Sequence, residues 1–392
     1  MKLPSGFRYA ALYAGIRKSP SDDLALIVPD SPARAAAVFT QNRVQAAPVR
    51  LARRNLHDSG GKCAAILINA GNANCATRTG DKVARLTSAA VARLLKVKPV
   101  QVLPASTGVI GVELDPSLIV NSLPALVDGL SPDHFEKVAR AIMTTDTRMK
   151  VASEEVSFRQ GVVRIAGLAK GAGMIHPDMA TMLAFVMTDA VIGPRRLQAM
   201  LAHGAGRSFN SLSIDGDTST NDTLVLLASG ASQVKLNEKE KQVFEEVLTW
   251  VLESLAEQIA ADGEGARKLV IVRVSGFKSN QDAHRIASAV ARSPLVKTAI
   301  AGSDPNWGRI ICAAGYAGVA FDPADIDIHL QRQLVCKKGL AAPFDEDQLK
   351  QLLSEPEVRI RIENRKGGKG EARYFTCDLT EGYIEINGSY RT

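Results

Sequence analysis

The chain has 392 residues, 46% of them hydrophobic and 23% charged, which is enough to bury a sizeable core and leaves no case for a disordered protein. Lys and Arg outnumber Asp and Glu by 48 to 41, a net charge of +7. The basic residues are scattered, with short clusters at Arg53-Arg54, Arg195-Arg196 and residues 365–369, and no aromatic side chains interleave them, so neither nucleic acid nor a membrane is expected as a partner.

In chain order, residues 1–16 mix polar, glycine and apolar positions, which supports neither a secretory leader nor a membrane span. Ala64 to Asn69 is an apolar run ending in an Asn/Gly turn, a pattern that predicts a buried strand. From Asp81, Val83, Leu86, Ala90 and Leu94 recur at helical spacing. Val100 to Pro104 reads as a short strand and Asp133 to Met143 as a helix, while Val156 to Leu168 and Met182 to Met187 read as strands.

Val243, Val247, Val251, Leu255 and Ile259 lie four apart, so residues 238–259 form the best-defined helix. Leu269 to Val274 is a strand candidate. Further helices are expected at Gln281–Ala291, from Asp304 as cap with Pro305 in first position, and at Asp345–Leu353. Val358–Glu363 and Ala372–Cys377 flank a Lys-Gly-Gly-Lys-Gly turn and suggest a hairpin, with Tyr383–Ile386 alternating as a last strand. Strands and helices mix without a βαβ rhythm, which gives a layered α/β (α+β) class.

The five cysteines, Cys63, Cys75, Cys312, Cys336 and Cys377, are odd in number, widely spaced and never paired as Cys-x-x-Cys; this usage fits a reducing compartment and a cytoplasmic protein. No His-Glu-x-x-His or paired-cysteine pattern offers a metal site.

The chemistry-bearing run is Lys170 to Ala184. Its Lys-Gly-Ala-Gly start is not a phosphate loop, because the lysine precedes the glycines, and the glycines read as a tight turn. Lys170 is a natural partner for a substrate carboxylate. His176 and Asp178 stand too close in sequence to Thr181 to form a triad with it, so His176 reads as structural.

Thr181 is the candidate nucleophile. A threonine hydroxyl needs an adjacent base, and cleavage after Ala180 would supply its own α-amine. Ser106-Thr107-Gly108 follows a strand and offers a hydroxyl and an unencumbered backbone N–H to an oxyanion, although an ordinary strand-end turn explains the same residues. Ser213 to Asp222 has acidic spacing but lacks an EF-hand's distal glutamate and reads as an Asx-rich turn.

Together with residues 68–74, 106–111, 143–147, 262–266, 304–309 and 386–392, these segments resemble the ornithine acetyltransferase, or glutamate N-acetyltransferase, family of arginine biosynthesis. The likeness spans nearly the whole chain. It implies an αββα sandwich akin to the N-terminal nucleophile hydrolases but with separate connectivity. It also implies self-cleavage between Ala180 and Thr181, an α piece of residues 1–180 and a β piece of residues 181–392, and an α2β2 assembly.

By the same resemblance Thr181 carries the acetyl group from N-acetylornithine to glutamate, and the Thr107 hydroxyl with the Gly108 N–H forms the oxyanion hole. Thr144 (with Thr145 and Thr147 close by), Lys170, Thr181, Glu264, Asn387 and Thr392 match substrate-holding positions. No cofactor is implied, though part of the family takes acetyl-CoA as a second acetyl donor. One departure is Arg267, where a threonine is expected after Glu-Gly-Ala. The competing readings are an amidohydrolase or aminopeptidase with the same nucleophile, and a ligand-binding protein without catalysis.

Overall fold

A computed structural model describes residues 1–176 and 182–389. The first half comprises β1 (Phe7–Leu12), β2 (Leu24–Pro29), β3 (Ala33–Phe39), α1 (Ala47–Asp58), β4 (Lys62–Cys63), β5 (Ala65–Asn69), α2 (Gly80–Leu95), β6 (Val102–Ser106), α3 (Pro116–Asp128), α4 (Phe135–Ala141), β7 (Lys150–Phe158) and β8 (Gly161–Lys170). The second half comprises β9 (Leu183–Thr188), α5 (Pro194–Arg207), β10 (Thr223–Ala228), α6 (Glu238–Ala261), β11 (Leu269–Phe277), α7 (Asn280–Arg292), α8 (Pro294–Ala301), α9 (Trp307–Gly315), β12 (Ile326–Leu330), β13 (Gln333–Lys337), β14 (Leu340–Ala341), α10 (Glu346–Leu353), β15 (Glu357–Asn364), β16 (Gly370–Cys377) and α11 (Glu381–Ser389).

Two sheets stack face to face. The first has the order β1-β2-β5-β6 and the second β4-β3-β10-β9-β8-β7. Side chains pointing inward from both, among them Tyr9, Ile27, Ile66 and Leu103 from one and Phe185, Met187, Val225 and Leu227 from the other, make one continuous apolar layer. Because alternate strand residues face opposite ways, the outer faces need cover of their own. Val83 and Val91 of α2 and Ile119 and Leu123 of α3 cover the first sheet. Leu197 and Leu201 of α5, with Leu248, Leu252 and Leu255 of α6, cover the second. The expected αββα sandwich is therefore present.

The second sheet draws strands from both sides of the Ala180–Thr181 bond: β8 pairs antiparallel with β9, and β10 lies between β9 and β3. A third sheet, β14-β13-β12-β15-β11-β16, packs one face on α7 to α10 and extends the sandwich at residues beyond 268.

Several local expectations change. Val156–Leu168 is not one strand but parts of a hairpin, β7 and β8, turned at Arg159-Gln160. The segments around the Lys-Gly-Gly-Lys-Gly turn are strands, yet β11 lies between them, parallel to β15 and antiparallel to β16, so they form no hairpin. Tyr383–Ile386 belongs to helix α11. The helix near residue 305 begins at Trp307, and Asn306 rather than Asp304 caps it by accepting from the Arg309 N–H. All five cysteines are free, four of them buried, and no helix among the described residues is long and apolar enough to cross a membrane.

An ionic cluster locks the end of the sandwich that holds the glycine-rich turn. Lys150, at the start of β7 and fully buried, donates to Asp146 and to Asp262 just past α6. Asp146 also accepts from the Thr144 N–H at 2.9 Å and the Gly171 N–H at 2.7 Å. Thr147 donates to Asp262 through its backbone and its hydroxyl. Removing one partner of a buried ion pair leaves the other uncompensated at a cost of about 3–5 kcal/mol. Lys150→Met should therefore lower the unfolding free energy by about that amount in urea titration; a loss under about 1 kcal/mol would show that the cluster is not structurally important.

Candidate active site

Strand ends converge at this edge. β6 delivers Ser106 and the turn after it, β8 ends at Lys170, and β9 and β10 begin at Leu183 and Thr223 in register with one another. Between them lies a cleft of about 300 Å³. Thr107, Gly108, Thr144, Thr145, Lys170 and Glu264 line it with Asn387 of α11, as do Asp215, Asn221 and Tyr383. Six of the residues expected at the site, Thr107, Gly108, Thr144, Lys170, Glu264 and Asn387, are thus brought together although they span 281 positions of sequence (107 to 387 inclusive). Thr181, Ala180 and Thr392 lie outside the described residues, as do Pro177 and Asp178.

Lys170 is buried, with 4% of its surface exposed, and its Nζ donates to Thr107 Oγ1 at 3.1 Å. Since the lysine occupies the threonine as an acceptor, the Thr107 proton is directed to another acceptor, which is what an oxyanion donor requires. Burial holds the Lys170 ammonium below the ordinary lysine range. Asp146 and Glu264 pull it back up, while Lys150 and Arg17 push it down. Asp146 stays below the usual carboxylate range: burial raises it, but the charges of Lys170 and Lys150 outweigh that effect.

Gly108 has φ +126°, and a Cβ there would lie 2.5 Å from the Gly71 carbonyl carbon, so only glycine lets this turn press against the Asn69–Asn74 loop. Asn221 ties the same corner together, its Nδ2 donating to the Ala73 and Ser106 carbonyls at 2.7 and 2.8 Å. A second close approach needs Gly173: a Cβ would come within 2.2 Å of Glu264 Oε2. Glu264 is held opposite that glycine by its own N–H on the Ala172 carbonyl at 2.8 Å and accepts from Asn387 Nδ2 at 2.8 Å.

Thr144 and Thr145 both reach the cleft, whereas Thr147 is committed to Asp262. Asp215 was legible only as part of an Asx-rich turn, and it does accept from the Asp217 N–H. It also takes the backbone N–H groups of Met174 and Ile175, fixing the descent from the glycine-rich turn, and the Tyr383 hydroxyl at 3.4 Å. Burial raises Asp215 above its ordinary value against those hydrogen bonds. Asp146 and Asp215 lay within segments that carry the family resemblance but were given no role there, and Tyr383 had no sequence signal beyond its proximity to Asn387. Among the described residues no group of His, Cys, Asp or Glu is arranged to hold a metal ion.

A cleft that sets a lysine, a glutamate and an amide around a hydroxyl and a glycine turn suits a small molecule carrying a carboxylate and an amine. The sequence pattern of the ArgJ family matches residues 8–392. The chain belongs to the ArgJ family. The arginine biosynthesis bifunctional protein ArgJ of Chlorobaculum tepidum is 46% identical over 391 residues, covering 99% of this chain and 96% of that protein. The crystal structure of the ArgJ of Bacillus halodurans is 40% identical with a TM-score of 0.51, over 53% of this chain and 98% of that one. The ornithine acetyltransferase of Mycobacterium tuberculosis, solved with ornithine, is 33% identical with a TM-score of 0.41, over 44% of this chain and 92% of that one.

The charges around Lys170 generate a direct check. Glu264 raises the Lys170 pKa, so Glu264→Gln should make that ammonium titrate at lower pH in a side-chain nitrogen NMR titration; an unchanged or higher value would contradict the arrangement.

Proposed function

We propose that this enzyme of arginine biosynthesis transfers the acetyl group of N2-acetylornithine to glutamate through an acetyl-Thr181 intermediate, releasing ornithine and N-acetylglutamate. The observation that carries the reading is the Lys170–Thr107 pair beside Gly108, which fixes a cation and an oxyanion donor together in a cleft also lined by Glu264 and Asn387.

The reaction divides between these groups. Both amino acids share an α-carboxylate, which Lys170 pairs, while Glu264 answers the ammonium end of ornithine. Thr181 becomes an N-terminus when the chain cuts itself after Ala180, and its new α-amine, with an intrinsic pKa of about 7.7 to 8.0, takes the hydroxyl proton as the oxygen attacks the acetyl carbonyl. The Thr107 hydroxyl and Gly108 N–H stabilise the charge on the carbonyl oxygen. Ornithine leaves, glutamate enters the same cleft, and its amine takes the acetyl group from the ester. The kinetics are ping-pong. The fragments remain joined through the shared second sheet, in an α2β2 assembly, and acetyl-CoA serves as a further donor if it can acylate the same threonine.

Incubation with acetyl-labelled N-acetylornithine and glutamate tests this. Label in N-acetylglutamate, with a denaturing-gel fragment whose N-terminal sequence starts at Thr181, is the expected result. Label appearing only as free acetate would favour the amidohydrolase reading, and an intact chain without transfer would sink the proposal. Label supplied on acetyl-CoA reads the second donor in the same assay. Thr107→Ala should lower kcat about 10² to 10³-fold with an unchanged melting temperature; full activity would remove Thr107 from the oxyanion hole.

The Lys170 pKa sets a pH dependence. Burial displaces its pKa downward, so its charge is lost on the alkaline side at a lower pH than that of an ordinary lysine. KM for N-acetylornithine should therefore climb on the alkaline side at a pH below the ordinary lysine value of about 10.4, and Lys170→Met should abolish that limb. A KM flat with pH in the wild type would contradict carboxylate pairing by Lys170.

A further inference from the structure

The third sheet carries three arginines side by side. Arg273 of β11 stands directly opposite Arg361 of β15 on one side and Arg373 of β16 on the other. Residues opposed on neighbouring strands point to one face, and with strands about 4.8 Å apart the row is about 10 Å long. Their neighbours along the strands, Val272, Val274, Ile360, Ile362 and Tyr374, point the other way into the core. Like charges directly opposed weaken a sheet, so the row destabilises the fold unless an anion answers it.

The row borders a cavity of about 600 Å³ between this sheet and helices α5 and α6. That cavity shares no lining residue with the cleft at Lys170. Four arginines, Arg207, Arg273, Arg361 and Arg373, line it against two glutamates, Glu253 and Glu371, which leaves a charge of +2 with the histidines neutral. Glu253 of α6 is shared between Arg207 of α5, at 3.7 Å, and Arg373, whose guanidinium also lies over the Phe375 ring at 4.9 Å. Arg361 pairs with Glu363 at 3.1 Å. Arg273, in the middle of the row, forms no ion pair among the described residues, and its guanidinium makes no hydrogen bond to them. Asn280, at the start of α7, accepts from the Glu371 N–H at 3.0 Å through Oδ1, which leaves its Nδ2 to donate elsewhere.

We propose that this cavity is a second binding site and that it takes a small phosphate-bearing anion. Arginine forks match phosphate oxygens, and a phosphate turns three acceptor oxygens in different directions, so several forks converging from one row can share it. A carboxylate offers only two oxygens in one plane. Bound there, the phosphate takes Arg273 as its principal partner, with Arg361 and Arg373 flanking it and Arg207 and Asn280 adding donors from α5 and α7. Its charge also relieves the repulsion within the row.

Calorimetric titration of the purified enzyme at pH 8 and fixed ionic strength tests this, with inorganic phosphate, pyrophosphate and succinate as probes. Phosphate or pyrophosphate should bind saturably and more tightly than succinate. Arg273→Gln should weaken that binding at least about tenfold, since hydrogen bonds to a charged group are lost. Arg359→Gln removes an equal charge from the same face of β15 outside the cavity and should leave binding nearly unchanged. A wild type that binds neither phosphate saturably overturns the proposal, as does binding that survives Arg273→Gln or falls equally in both variants. Succinate binding as tightly as the phosphates overturns the ligand class.

Melting temperatures without any probe give an independent reading. Arg273→Gln removes the opposed like charges and should melt at or above the wild-type temperature. A lower melting temperature would make Arg273 a structural residue and overturn the assignment.

Discussion

One constraint governs this end of the molecule: Lys150 is buried completely, and its charge must be answered there. Asp146 and Asp262 answer it, and each carboxylate accepts further hydrogen bonds. Asp146 spends them on the Thr144 and Gly171 amides, which fixes the floor of the cleft and the first residue after β8. Asp262 spends them on Thr147, and it stands two residues before Glu264. The same cluster that holds β7 to α6 therefore sets where Thr144, Lys170 and Glu264 stand relative to one another. Buried pairs of this kind add little net stability over an apolar replacement, and here we read their value as positional.

Lys170 extends this logic into the cleft. Its ammonium is as buried as many core side chains, and the charges of Asp146 and Glu264 oppose the downward shift that burial imposes. That balance leaves a cation able to meet a carboxylate while its hydrogen bond to Thr107 turns the threonine proton elsewhere. The site is built on strand ends and short turns pressed together, with glycine at 108 and 173 allowing backbone and carboxylate to approach closer than any side chain would permit. Such preorganisation is what an oxyanion site demands, because donors already in place need no rearrangement as charge develops.

The parts of this fold that were legible in the sequence are those with a long, unbroken period. α6 shows its four-residue stripe plainly and was found within two residues of its observed end. β7 and β8 merged into one reading because the Arg159-Gln160 turn is too short to interrupt the β-branched pattern. Tyr383–Ile386 alternates like a strand, but Ile384 is exposed and no sheet edge uses the alternation; the spacing that matters is Tyr383 to Asn387, which puts both on one face of a helix at the cleft. The alanine-rich β3 and the short β10 gave no comparable signal, although they make the centre of the second sheet.

For the site, local pattern offered Lys170 as a carboxylate partner and Thr107-Gly108 as oxyanion donors or an ordinary turn, and motif resemblance was needed to locate Thr144, Glu264 and Asn387. The cluster of Lys150, Asp146 and Asp262 was invisible because Asp262 lies more than a hundred residues from the other two and Lys150 sits in no motif. Everything proposed for the reaction turns on acetyl passing through Thr181. Mass spectrometry of the protein after exposure to N-acetylornithine without glutamate tests it most directly. The account requires an acetyl group on the fragment beginning at Thr181, stable until glutamate is added and then lost to it. A protein that turns over both substrates with no acetyl on that threonine, or with the acetyl on another residue, would contradict it.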